Sequence, residues 1–170
     1  MTSPAEHTWL RAEGGALRCA FEYPADWRVR EISNGPWPAI SLIGPTSRDI
    51  PYIASITLYR HAARGGRPDA VLENAMERHR VLNDFHELGR HTEDVAGESA
   101  VGVDVVYQLR LPPRSLDARP TAVRERRLVL SHAGDVYEIV YSASEQEYEA
   151  LLPVLQGILR TLSFGHRGIS

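Results

Sequence analysis

The chain has 170 residues, 43% hydrophobic and 24% charged, a balance that supports one domain with a sizeable core rather than a disordered segment. All 19 basic residues are arginine, which excludes Schiff-base chemistry and a P-loop lysine, and the single Cys19 excludes an internal disulfide, a CxxC pair and a multi-cysteine zinc site. With 22 acidic residues the net charge is −3, so no global positive field points to nucleic acid as a partner.

Residues 1–7 are small and polar and read as a flexible end. Glu6, Arg11 and Glu13 occupy the stretch where a signal peptide needs an apolar run, and Arg18 directly before Cys19 does not suit lipoprotein processing. The longest apolar stretch, Ala150 to Leu155, is too short to cross a membrane. A cytoplasmic protein is the expectation.

From Trp9 to Ile32 the chain reads as extended. Leu17, Cys19, Phe21 and Tyr23 alternate with polar or small residues, Pro24 stops that strand, and Trp27 to Ile32 starts another. Asn34 to Pro38 is a loop that carries Trp37 between two prolines. Two strands follow, Ala39 to Ile43 and Pro51 to Tyr59, separated by the turn-rich Gly44 to Asp49. After the arginine-rich loop His61 to Arg67, Pro68 fits the first turn of a helix and Asp69 favours its positive end. Val71, Leu72, Ala75, Met76, His79 and Leu82 share one face of it.

Residues 84–94 form a strand, Ala96-Gly97 a turn, and Val101 to Leu111 a long strand ended by the loop Pro112 to Pro120. Arg124 to Ser131 and Val136 to Ser142 flank His132-Ala-Gly-Asp135, a tight hairpin turn. That register opposes Leu130 to Tyr137, Leu128 to Ile139 and Arg126 to Tyr141, and makes Arg127 and Glu138 diagonal neighbours on the other face. Ser144 and Glu147 form a capping box for a second helix with an apolar stripe from Tyr148 to Leu162, in which Pro153 is expected to cause a kink or a late start. Strands, helix, strands, helix in this order give an antiparallel sheet flanked by helices, an α+β arrangement of α/β/α layers. It is not the alternating order of a Rossmann fold.

The segment Phe21-x-Tyr23-Pro24-x-Asp26-Trp27-x-Val29 resembles the strand–Pro–turn–Trp opening of PsbP-like and DcrB-like domains. The same plan continues through Val95-Ala-Gly-Glu-Ser-Ala-Val101, the hairpin with Gly134, and Glu147-Tyr148 running to Leu162-Ser-Phe164, so the resemblance covers about residues 15–164 of a single domain spanning 1–170. It implies an α/β/α sandwich around a central antiparallel sheet. Domains of this kind include an extrinsic photosystem subunit, a Ran-binding import factor, periplasmic and lipoprotein domains, and chaperones for type VI secretion effectors. The resemblance therefore implies binding rather than a shared reaction, and it carries no functional residue across, because the matching positions build the fold.

The chemistry-bearing residues point the same way. Ser131 and His132 are adjacent on a strand and face opposite sides, so with Asp135 they cannot form a hydrolase triad, and no GxSxG elbow occurs. His86 and His91 are expected on opposite faces of their strand, His79 on the apolar face of its helix, and no zinc-ligand spacing is present. No metal, no cofactor and no catalytic residue are assigned. Cys19 reads as a small core residue. Candidate binding residues are Arg64 and Arg67 at the helix entrance, Arg110, Arg114 and Arg119 around the Pro-rich loop, and Trp37. The leading expectation is a non-catalytic protein-binding or chaperone-like adaptor, with its patch on the long strands beside the Pro112–Pro120 loop. The alternatives are a small-molecule or anion-binding protein using the arginine loops and, third, an enzyme. A homodimer stays open, and neither nucleic acid nor a transmembrane segment is expected.

Overall fold

A computed structural model describes residues 8–61 and 66–165. The expected flexible end, residues 1–7, and candidate Arg64 lie outside the described residues. In chain order the elements are β1 (Trp9–Gly14), β2 (Cys19–Pro24), β3 (Arg28–Ile32), β4 (Ala39–Ile43), β5 (Ser55–His61), α1 (Pro68–His79), β6 (Asn83–Val95), β7 (Glu98–Leu111), β8 (Arg119–His132), β9 (Asp135–Ser144), α2 (Tyr148–Thr161) and β10 (Ser163–Phe164). Seven strands form one antiparallel sheet in the order β3-β4-β5-β9-β8-β7-β6, and β1, β2 and β10 form a smaller one. Helix α1 lies over β7 and β8, while α2 packs between β2 and β9. This is the expected α+β sandwich with a helix against each face of an antiparallel sheet.

Strand alternation decides what each face receives. Leu128 and Leu130 of β8, and Tyr137, Ile139 and Tyr141 of β9, join Ile56 and Leu58 of β5 in a core closed by Phe21 of β2 and by Tyr148, Leu155 and Ile158 of α2. Trp27 is buried in that core, where burying a large apolar side chain contributes about 1.5–3 kcal/mol. Gly157 of α2 sits against the Trp9 ring, and any Cβ there would come within 2.3 Å of it. The opposite face holds a second core, where Leu72, Ala75 and Met76 of α1 meet Val103, Val105, Val123, Val129 and Val136.

The hairpin register agrees with expectation: Leu130 opposes Tyr137, Leu128 opposes Ile139 and Arg126 opposes Tyr141. Its turn uses positive φ at both Ala133 (49°) and Gly134 (84°), the backbone twist that suits a two-residue hairpin loop. Four expectations need correction. Strand β5 begins at Ser55, not Pro51, because Tyr52 turns in to hydrogen-bond Ser142. Strand β8 begins at Arg119 and takes in Pro120, which is tolerated near the start of a strand. Helix α1 ends at His79, and Leu82 reaches its core from the following turn. Pro153 sits exposed inside α2 and does not delay its start at Tyr148, while the contact between Ser144 and Glu147 precedes the first turn.

Candidate functional site

The α1 face carries charge into the interior. Val103, Arg127, Val140, Thr57, Ser41 and Arg30 lie in register across β7, β8, β9, β5, β4 and β3. The neighbouring rows bring Glu125 and Ser142 on one side, and Glu138, Tyr59, Ala39 and Ile32 on the other. Glu125, Arg127 and Glu138 are all buried. Burying such charges is costly unless they are paired, and here they are. Arg127 donates from Nε (3.1 Å) and Nη2 (2.8 Å) to Glu125 Oε1, and from Nη1 to Glu138. Glu138 Oε2 lies 2.8 Å from His61 Nε2. On the other side Glu125 Oε2 accepts from the Tyr107 hydroxyl at 3.2 Å and faces His79 Nε2 at 3.4 Å, while His79 Nδ1 donates to the Ala75 carbonyl at 2.9 Å.

Electrostatics follow from this chain of alternating charge. Burial alone would push the Glu125 carboxyl up, but the hydrogen bond from His79 and the charge of Arg127 outweigh it and leave it below the ordinary carboxylate value. His61 is held below its ordinary value by burial first, then by the positive charges of Arg78 and Arg127. Tyr107 is pushed well up by burial and by Glu125. The Cys19 thiol, in the opposite core, is pushed up to about 11 by burial, so it is not poised as a nucleophile.

Among the described residues, only half of this face is roofed. Helix α1 covers β7 and β8, and the α1-side residues of β3, β4 and β5 form a shelf beside it, buried at Ala39 and Thr57, half-buried at Tyr59 and His61 and exposed at Arg28 and Arg30. Loop residues 36–38 hold Trp37 at its rim: the Arg60 N–H donates to the Pro38 carbonyl (3.0 Å), and the Trp37 ring, 39% exposed, lies 5.0 Å from that of His61. Tyr59 lies 6.4 Å beyond His61. Arg28 and Arg30, two residues apart on β3, share this side with Ile32, Ser41 and Ile43. Neither arginine has a carboxylate partner among the described residues, nor has Arg78 on α1, whose charge reaches His61.

The described sequence candidates separate into three places. Trp37 is on the shelf, and Arg67 caps α1 with its side chain exposed and 2.8 Å from Asp69. Arg110, Arg114 and Arg119 gather at the far end of the β7–β8 hairpin, where Arg110 Nη2 donates to the Ala118 carbonyl at 2.8 Å, Arg114 is exposed with φ 60°, and Arg119 opposes Leu111. Of the network only the Arg127–Glu138 diagonal and the half-buried His79 were visible in the sequence. The links to His61, Tyr107 and Glu125 depend on strand order and helix placement. His86 and His91 correct a further expectation: a bulge between Glu87 and Gly89 makes them oppose Val106 and Gly102, positions on one face rather than two. Among the described residues no group of three His, Cys, Asp or Glu side chains could hold a metal ion.

No protein-family model matches the chain, and no curated protein sequence does. Solved structures do. LpqN of Mycobacterium tuberculosis, described as involved in cell envelope biogenesis, is similar at TM-score 0.58 and 19% identity, over 95% of this chain and 92% of its own. Cyanobacterial PsbP (CyanoP) from Synechocystis sp. PCC 6803 is similar at TM-score 0.60 and 9% identity, over 93% of each chain. The Ran-binding protein Mog1p of Saccharomyces cerevisiae is similar at TM-score 0.59 and 10% identity, over 94% of this chain and 96% of its own. The chain has the PsbP/Mog1p fold. No helix among the described residues is long and apolar enough to cross a membrane.

Proposed function

We propose that this chain is a non-catalytic protein-binding domain that holds its partner on the shelf beside α1. The observation that carries the reading is the composition of that half-open surface: Trp37, Tyr59 and His61 at the end level with Ile32, Arg30 and Arg28 following along β3, and Arg78 on α1 with its charge reaching His61. Exposed tryptophan, tyrosine and arginine around a partly desolvated centre are the residue types that dominate binding energy at protein interfaces. The adjoining ionisable groups support binding over catalysis, since Glu125 and Glu138 are each held by Arg127 and a histidine, an arrangement that braces the sheet. The fold neighbour Mog1p, described as Ran-binding, lends support from a protein that shares the architecture and takes a protein partner.

The test is site-specific photo-crosslinking in the native host. A photoreactive residue at position 37 or 59 is expected to capture one and the same protein, and the same residue at the exposed Val81, on the turn after α1, is expected not to. Absence of any specific adduct from the shelf positions removes the reading. A second reading, anion binding at the Arg110, Arg114 and Arg119 end, has one observation in its favour: neither Arg114 nor Arg119 has a carboxylate partner among the described residues.

A further inference from the structure

Strand β3 is the outermost strand of the seven-stranded sheet, and no described segment hydrogen-bonds to its outer edge. An edge of this kind presents a row of backbone donors and acceptors to any extended chain that can match its side chains. Resting on the protein-binding reading above, we infer that the shelf's partner docks through an acidic extended segment that pairs with β3 as an eighth strand.

The side chains of β3 set the terms of that pairing. Arg28, Arg30 and Ile32 point to the shelf side, and Val29 and Glu31 to the other, because neighbours alternate across a strand. Every pairing in this sheet is antiparallel. An antiparallel newcomer therefore meets Ile32, Glu31, Arg30, Val29 and Arg28 in that order. It is matched by an apolar residue, a base, an acid, an apolar residue and an acid, since opposite charges and apolar pairs directly across two strands stabilise the pairing. The two acids then lie on the shelf side, and the apolar residue opposite Ile32 comes level with Ala39 and Tyr59, at the end of the shelf that holds Trp37 and His61.

The same residues argue against a second copy of this chain. Antiparallel pairing of β3 with itself about Arg30 sets Arg30 against Arg30, and parallel pairing sets each arginine against its own kind. Like charges directly opposite are destabilising. With no carboxylate partner among the described residues, Arg28 and Arg30 leave a place for the partner's acids. A nucleic acid would satisfy the arginines but has no means of completing the backbone ladder of an edge strand.

The experiment uses the full chain and fluorescein-labelled nine-residue peptides with the centre Leu-Lys-Glu-Val-Glu, or its charge-inverted form Leu-Glu-Lys-Val-Lys, read by fluorescence anisotropy. The acidic peptide is expected to bind about tenfold more tightly than the inverted one. The R28E/R30E variant, whose changed side chains are exposed and whose fold is checked by circular dichroism, should reverse that preference. N-methylation of alternate residues supplies the backbone test. One of the two alternate sets must abolish binding, and the other must leave it intact, because an added strand turns only one edge to β3. Equal affinity for the two peptides, no binding at millimolar concentration, tolerance of both N-methylated sets, or arginine-dependent binding of a single-stranded oligonucleotide in their place would each overturn the inference. If crosslinking from positions 37 and 59 still captures a protein, the protein-binding reading survives that failure. If crosslinking also fails, both fall.

Discussion

The two faces of the seven-stranded sheet solve the same problem in different ways. On the α2 face, Leu128, Leu130, Tyr137, Ile139 and Tyr141 meet helix α2 and strand β2 in an apolar layer that runs from Trp27 to Val95. On the α1 face, the same two strands contribute Glu125, Arg127 and Glu138, and the helix roofs only part of the sheet. One face is held by non-directional burial, which tolerates modest repacking. The other adds to its apolar core directional pairs whose members are costly to leave alone in a low-dielectric interior. The apolar α2 face therefore supplies most of the stability, and the partly roofed α1 face can present a surface.

The largest effect is expected in the apolar layer. Trp27→Ala removes a buried indole and should lower unfolding free energy by about 3–5 kcal/mol, measured by denaturant titration. A loss within about 0.5 kcal/mol, as for a surface site, would mean that this layer does not carry the fold. Arg127→Met tests the other face and should cost nearly as much, about 3–5 kcal/mol, because it strands two buried carboxylates. Replacing Glu125, Arg127 and Glu138 together by Leu, Met and Leu should recover most of that loss. A triple variant less stable than the single one would show that the network contributes more than its own neutralisation.

A smaller effect distinguishes the faces by pH. His61 sits below its ordinary 6.5 and Glu125 below its ordinary 4.5 in the folded state. A group held below its unfolded pKa contributes stability that is fully present above the unfolded value and lost as pH falls through the folded one. Stability should therefore begin to fall as pH drops below 6.5, through His61, and fall further in the carboxylate range, through Glu125. His61→Gln should flatten the first of these two steps in denaturant titrations at a series of pH values; an unchanged slope would mean that another group sets it. The smallest effect belongs to R114E/R119E, remote from both cores, which should change stability by no more than about 0.5 kcal/mol. Loss of the shelf's crosslinked partner in that variant would move the interface to the hairpin end.

Legibility in the sequence tracked locality. The register of the β8–β9 hairpin was readable to the residue, though not the start of β8, since a two-residue turn and strict alternation fix both pairing and face, and the Arg127–Glu138 diagonal came with it. Trp37 was readable as a loop aromatic but not as a neighbour of His61, because their contact joins two segments held together only by the β4–β5 pairing. Nothing in the sequence set Glu125 apart on its arginine-rich strand. Its burial comes from α1 crossing β8, which places His79 against it, and from the β7–β8 pairing, which brings in Tyr107. The bulge that brings His86 and His91 to one side left no signal in a strand this polar.

Composition and periodicity alone determined the antiparallel sheet with its two amphipathic helices, the core faces of β7, β8 and β9, the burial of Cys19 and the absence of any lysine chemistry. These are properties of residues within a few positions of one another, where alternation of two or a spacing of three to four settles the outcome. The tertiary structure decided which half of the sheet α1 leaves open, which strand lies at its edge, and which charges are buried. Those outcomes depend on strand order and helix placement, set by the packing of residues far apart in the chain. In this way Arg28 and Arg30 on β3 came to share an open face with an aromatic row from β5 and the loop before β4.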